Sequence, residues 1–279
     1  MGQFGRAWQL TKLSWQVIKT DKSLLAFPII SGTLSIFAFI MIVAPFMLFI
    51  GMDTMFENNG LLMAIMFILV YFVIYFLAIF FQVATLACAM HVMDGNDTTV
   101  AYGIRFAAGK IKYIFQWAVI STVVGFILSR IRQAGLIGGL VSIFAGLAWG
   151  IATFFVVPVM VFEDVGPVEG IKRSVQLVKA TLGPTVISNL GIALIFVLLF
   201  LLGFVMFIPL AVLLSNSWLA LGALIGLLVY TIVILVLGSL ISKVLIAVLY
   251  RYAMTGKAYM DVDRVLIQTP GFTPIPKSP

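Results

Sequence analysis

Five runs of this chain, residues 23–52, 58–90, 113–129, 133–162 and 180–242, contain no Asp, Glu, Lys or Arg. One crossing of a bilayer's hydrocarbon core takes about 20 apolar residues, within a range of about 17–25. The first four runs therefore hold one span each. The fifth is long enough for two, and Ser215, Asn216 and Ser217 supply a turn between them. The expected fold is all-α, with six transmembrane helices near 24–50, 61–91, 113–129, 134–162, 185–214 and 218–249. A β-barrel is disfavoured, because the runs are continuously apolar and do not alternate over short segments. The composition agrees: 63% hydrophobic and 10% charged, against roughly 45–50% and about 25% in a soluble domain.

Arg6, Lys12, Lys19 and Lys22 precede an apolar run far longer than that of a signal peptide, so the first span is expected to stay in the mature protein. Six spans put the N-terminus, the 93–112 loop, the 163–183 loop and the C-terminal segment on one side. Of the 17 bases, Arg130 and Arg132 fall on the opposite side and Lys243 inside the sixth span, which leaves 14 on the first side. That bias predicts a cytoplasmic-membrane protein with both termini in the cytoplasm. No soluble basic domain is long enough to read nucleic acid, so none is expected as a partner. Residues 1–250 read as one membrane domain. Residues 251–279, with Pro270, Pro274, Pro276 and Pro279, read as a juxtamembrane segment and a disordered tail.

The charged stretches between spans follow helical spacing. Val168, Ile171, Val175, Val178 and Leu182 recur at three and four residues, and Glu169, Lys172, Gln176 and Lys179 keep the same spacing on another face. Gly166-Pro167 suits the start of that helix. Near the N-terminus, Phe4, Trp8, Thr11, Trp15 and Ile18 form one stripe and Gln9, Lys12, Gln16 and Lys19 the other, and RAWQLTK there matches RSVQLVK at 173–179. A weaker version covers about 98–112, with Asp97 or Thr98 as its cap. Each such helix precedes two spans, so the chain reads as three units, each an interfacial amphipathic helix followed by a transmembrane hairpin.

The stretch PVMVFEDVGPVEGIKRS carries Pro158, Glu163, Gly166, Pro167, Arg173 and Ser174. It resembles the Pro, Glu, Gly-Pro and Arg-Ser pattern found between paired helices in a group of prokaryotic six-helix membrane proteins. That group includes the membrane domain of certain glycerophosphodiester phosphodiesterases and several families of unknown function, and the resemblance is to one of the latter above all. It implies a fold and not an activity, since the phosphodiesterase chemistry belongs to a separate soluble domain and residues 251–279 are too few for one.

Candidate chemistry is sparse. Cys88, His91, Asp94 and Asp97 stand three apart, but zinc needs three or four converging ligands, and these drift around a helix that Gly95 ends. No metal or other cofactor is expected. Asn96-Asp97-Thr98 matches the glycosylation triplet but falls on the cytoplasmic side. Glu163 and Asp164, the adjacent carboxylates after the fourth span, read as compensating Lys172 and Arg173. Ser121, Gly125 and Ser129, with Ser142, Gly146 and Gly150, read as small residues packing the third and fourth spans together.

The expected function is thus non-enzymatic: a membrane-organising or accessory module that binds anionic headgroups through Lys12, Lys19, Lys172, Arg173 and Lys179, with a protein partner or a second copy engaged through its helices. Two alternatives stand beside it. One is a small transporter or permease with a path among spans two, five and six lined by Gln82, Asn189 and Lys243. The other is a membrane anchor for a separate soluble enzyme.

Overall fold

The structure, a computed structural model, describes residues 12, 14–50, 60–181, 185–214 and 218–255, with the backbone alone at 49, 50, 60, 180, 181 and 185–194. The side chain of Asn189 and the expected tail over 256–279 lie outside the described residues. Those residues contain helices and no strand. In chain order they are α1 (14–20), a 3-10 turn (Lys22–Leu25), α2 (Ala26–Ile50), α3 (Gly60–Met93), α4 (Val100–Gly109), α5 (Ile111–Arg132), α6 (Gly135–Ala152), α7 (Val156–Glu163), α8 (Pro167–Thr181), α9 (Thr185–Leu213) and α10 (Trp218–Thr255). Six helices are long and apolar enough to cross a membrane, with α6 and α7 together making the fourth. They mark a multi-pass membrane protein. The short helices α1, α4 and α8 each precede a pair of long ones.

Local chemistry sets the boundaries. Asp21 caps the 3-10 turn by accepting the Ser23 N–H at 2.8 Å. Gly95, at φ +83°, closes α3 in the left-handed region that favours glycine. The N-cap of α4 is Thr99, whose hydroxyl accepts the Tyr102 N–H at 3.2 Å. Neither Asp97 nor Thr98, the two residues expected in that role, takes it, and Thr98 instead donates its N–H to Asp21 at 3.2 Å. The fourth span, expected unbroken over 134–162, is interrupted at 153–155. Pro158 accounts for this, since its ring clashes with the carbonyl four residues earlier. The freed Phe155 N–H is taken up by the Ser174 hydroxyl at 3.0 Å.

α3 is the central element, packing against α2, α4, α5, α7 and α10, while α9 packs chiefly on α10. There Tyr230 donates to the Leu199 carbonyl at 2.6 Å and lays its ring over Gly203, where any side chain would overlap it. Buried residues concentrate in one half of the bundle: Ile79 to Met93 of α3, Ile114 to Ala118 of α5, Val156 to Val161 of α7, and Leu240 to Ala253 of α10. In the other half the long helices present apolar side chains outward, with Leu48 82%, Leu61 77%, Leu136 91% and Trp218 88% exposed. Water would not tolerate so much continuous apolar surface. Lipid would, and because lipid gives no hydrophobic reward for bringing helices together, packing and hydrogen bonds must hold the bundle.

The short helices dock through small residues. The buried face of α8 is Gly170, Arg173, Ser174, Leu177 and Val178, whereas Val168 is 66% exposed and Ile171 and Val175 are half-buried. The apolar stripe read from spacing is therefore turned partly away from the protein. A Cβ at Gly170 would meet Met160 Cγ at 2.8 Å, and one at Gly103 of α4 would meet Phe27 Cζ at 2.6 Å and Cys88 Sγ at 2.8 Å. In both units a glycine lets the short helix lie on the end of the preceding span.

Candidate functional site

The polar side chains of the tightly packed end tie its segments together. Asp21, before the first span, accepts N–H bonds from Ser23 and from Thr98, on the loop between α3 and α4. Burial alone would raise its pKa, but the Ser23 and Thr98 bonds outweigh that and hold the carboxyl below its ordinary value. Asp94, past the end of α3, pairs with Arg251 near the end of α10 at 2.7 Å. Lys110, at the junction of α4 and α5, pairs with Asp164, and the Tyr113 hydroxyl donates to the Asp164 carbonyl at 2.9 Å. Asp164 itself sits at φ +57°, so the chain turns sharply there between α7 and α8.

The most deeply placed linkage joins Glu163, Arg173 and Tyr250. Arg173 Nε lies 3.3 Å from Glu163 Oε2, and the two side chains are only 10% and 3% exposed. Tyr250, 2% exposed, donates its hydroxyl to Glu163 Oε1 at 3.2 Å. Phe162 stacks on the Tyr250 ring at 5.8 Å, and Phe155 lies beside it at 6.3 Å. Three elements, α7, α8 and α10, thus meet on one carboxylate. A buried ion requires such partners, because losing water costs several kcal/mol per charge.

This geometry corrects one expected assignment. Arg173, grouped in the sequence with the lysines facing headgroups, points into the protein against Glu163, since the tight Gly170 face of α8 turns position 173 inward. Lys12, Lys19, Lys172 and Lys179 are exposed, as are Lys22, Arg105 and Lys112. Gln82 and Lys243 are half-buried on α3 and α10, which pack on each other. The Asn189 side chain lies outside the described residues.

Cys88 is buried and directs its thiol at the Thr99 carbonyl, 3.7 Å away. His91 stacks on Tyr102 at 4.5 Å, so it pins α4 to α3. Among the described residues no three His, Cys, Asp or Glu converge as a metal site would require. Of the small residues, Ser142 donates to the Leu128 carbonyl at 3.0 Å, joining the third and fourth spans. Gly125 faces elsewhere: a Cβ there would lie 3.0 Å from the Tyr71 hydroxyl of the second span.

Sequence reasoning paired the acids at 163–164 with the bases of α8 but missed Tyr250, Arg251 and Lys110. The signal available was local: Tyr250 and Arg251 are a phenol and a base near the end of a mostly apolar helix. Which carboxylate each would meet depends on how the spans pack, and hydropathy does not encode that.

The likeness to glycerophosphodiester phosphodiesterases expected from Pro158 to Ser174 is supported by no match, and the unknown-function side of that resemblance is what remains. No curated protein and no solved structure matches the chain. A family model matches residues 60–260, from the start of α3 past the end of α10, so the chain belongs to a family of unknown function (DUF6159).

Proposed function

We propose that this protein is a membrane-organising or accessory module of the cytoplasmic membrane, whose basic end lies on the cytoplasmic leaflet and gathers anionic headgroups. The observation that carries the reading is how charge is divided there. Asp94, Glu163 and Asp164 are engaged by Arg251, Arg173 and Lys110, and Asp21 by backbone N–H groups. The lysines at 12, 19, 22, 112, 172 and 179, with Arg105, remain on the surface. Among the described residues this leaves Asp97 and Glu169 as the other exposed acids of this end against seven exposed bases, so its outward field is positive. α8 keeps Val168 outside the protein beside Lys172, which suits a helix resting in the headgroup plane with its apolar side toward the acyl chains.

Each base near an anionic surface contributes about 1 kcal/mol. Reversing Lys12, Lys19, Lys172 and Lys179 to Glu should strip most of the anionic lipid from the gently extracted protein while the Glu163–Arg173 pair keeps it folded. Unchanged lipid retention in a folded quadruple variant would end this reading. A transport role is the second reading, favoured by Gln82 and Lys243 being half-buried on helices that pack together. It requires single cysteines at those positions to react with a water-soluble reagent. An anchoring role for a soluble enzyme would be seen as its co-purification.

A further inference from the structure

At the end of the bundle opposite the acid-rich one, α3 and α5 line a groove of about 640 Å³. Its walls are apolar over most of their length, with Ile68 and Tyr71 from α3 facing Gly125 and Phe126 from α5. Its outer end is lined by Arg130 and Arg132, in the last turn of α5. Arg130 lies over the Phe126 ring at 4.9 Å, so one cation sits directly above the apolar wall. The volume falls in the range of about 300–1,000 Å³ typical of sites that enclose a small molecule.

From this we infer that the groove is a site for one anionic phospholipid of the leaflet at this end, its acyl chain between α3 and α5 and its phosphate on Arg130 and Arg132. Charge complementarity selects this occupant. Among the described residues, every Asp and Glu belongs to the opposite end, and these two arginines are the charged side chains of this one. Guanidinium groups suit phosphate because their forked N–H donors bond two oxygens at once. Lipid is also what surrounds the mouth of a groove on the flank of a spanning helix pair. Gly125 lets the Tyr71 side chain lie against α5 as part of the groove's lining, since a Cβ there would stand 3.0 Å from the Tyr71 hydroxyl. This site is independent of the headgroup surface proposed above, since it lies at the other end and uses no residue of that set.

The test is native mass spectrometry of the full chain released from nanodiscs that contain phosphatidylglycerol and phosphatidylcholine in equal amounts. The wild type should retain one phosphatidylglycerol that the Lys12, Lys19, Lys172 and Lys179 reversal does not remove. Arg130→Gln with Arg132→Gln should weaken that retention about thirtyfold, as two lost bases imply. Ala64→Phe, which narrows the groove and leaves both arginines in place, should also displace it. Millimolar inorganic phosphate should not compete, because it lacks the chain; competition would assign the arginines to a free anion and overturn the lipid site. Equal retention of phosphatidylcholine, or unchanged retention in the double Gln variant, would overturn it as well. Asp53 and Glu57 are the nearby acids in sequence. If phosphatidylglycerol bound only after Asp53→Asn with Glu57→Gln, the arginines would belong to that loop and the proposal would fail.

Discussion

Arg173 reaches back across the Gly166-Pro167 turn to Glu163, 3.3 Å from Nε to Oε2, and both side chains are shielded from solvent. Tyr250 closes the third side of the carboxylate at 3.2 Å. The helix that looks most soluble in this chain is thereby fixed to the sixth span as well as to the fourth.

Removing one partner of a buried ion pair strands the other charge and costs about 3–5 kcal/mol. Arg173→Met and Glu163→Leu should each destabilise the protein on that scale in reversible unfolding from detergent. The double variant should lose much less than the sum, because no charge is left without its partner. Additive losses would mean that the two residues do not act as a pair.

The Asp94–Arg251 pair, at 2.7 Å, should behave differently. Asp94 is 56% exposed and Arg251 23%, and surface pairs contribute about 0–1 kcal/mol and weaken with salt. Asp94→Asn should cost less than about 1 kcal/mol, with the difference from wild type shrinking in high salt. A loss comparable to that of Arg173→Met would contradict the exposure seen here.

Asp21 gives a pH signature. Its folded carboxyl is held below its ordinary value of about 3.9, so its stabilising contribution is fully present above that value. It fades as pH falls through the lowered folded value. Asp21→Ala should cost about 0.5–2 kcal/mol at neutral pH as the loss of a cap, and the gap from wild type should close in acid. A gap that widened on acidification would have the wrong sign for this account.

Two glycines of α4 should respond in opposite directions. Gly103→Ala would push a methyl against Phe27, Cys88 and the Ala84 carbonyl, and overpacking typically costs about 1–3 kcal/mol. Gly109 has open space around its Cβ position, so Gly109→Ala should be neutral or stabilising by up to about 1 kcal/mol. Melting temperatures of the two variants in one detergent would check both.

What the sequence made legible is what hydropathy and helical period encode. Six apolar helices and the start of α8 at Pro167 follow from uncharged runs and breaker residues that act locally, while the turn expected at 215–217 lies outside the described residues. The break before Pro158 was written in the sequence too, but an apolar run hides it, because Val156 to Met160 read equally well as a continuation. The facing of the short helices was not legible. Their spacing pattern marks an apolar stripe, yet in a membrane that stripe can meet lipid while glycine, serine and a paired arginine meet the protein, as α8 does. Tyr250 on Glu163 and Lys110 on Asp164 join residues 87 and 54 positions apart, and their pairing is decided only when the spans pack.

The layout itself is tested most directly by cysteine accessibility in intact cells and in inverted vesicles. In a Cys88→Ala background, Asn96→Cys and Gly166→Cys should react with an impermeant thiol reagent from one face of the membrane, and Gln133→Cys from the other. Reaction of positions 133 and 166 from the same face would contradict the six-span arrangement on which every role assigned to this protein rests.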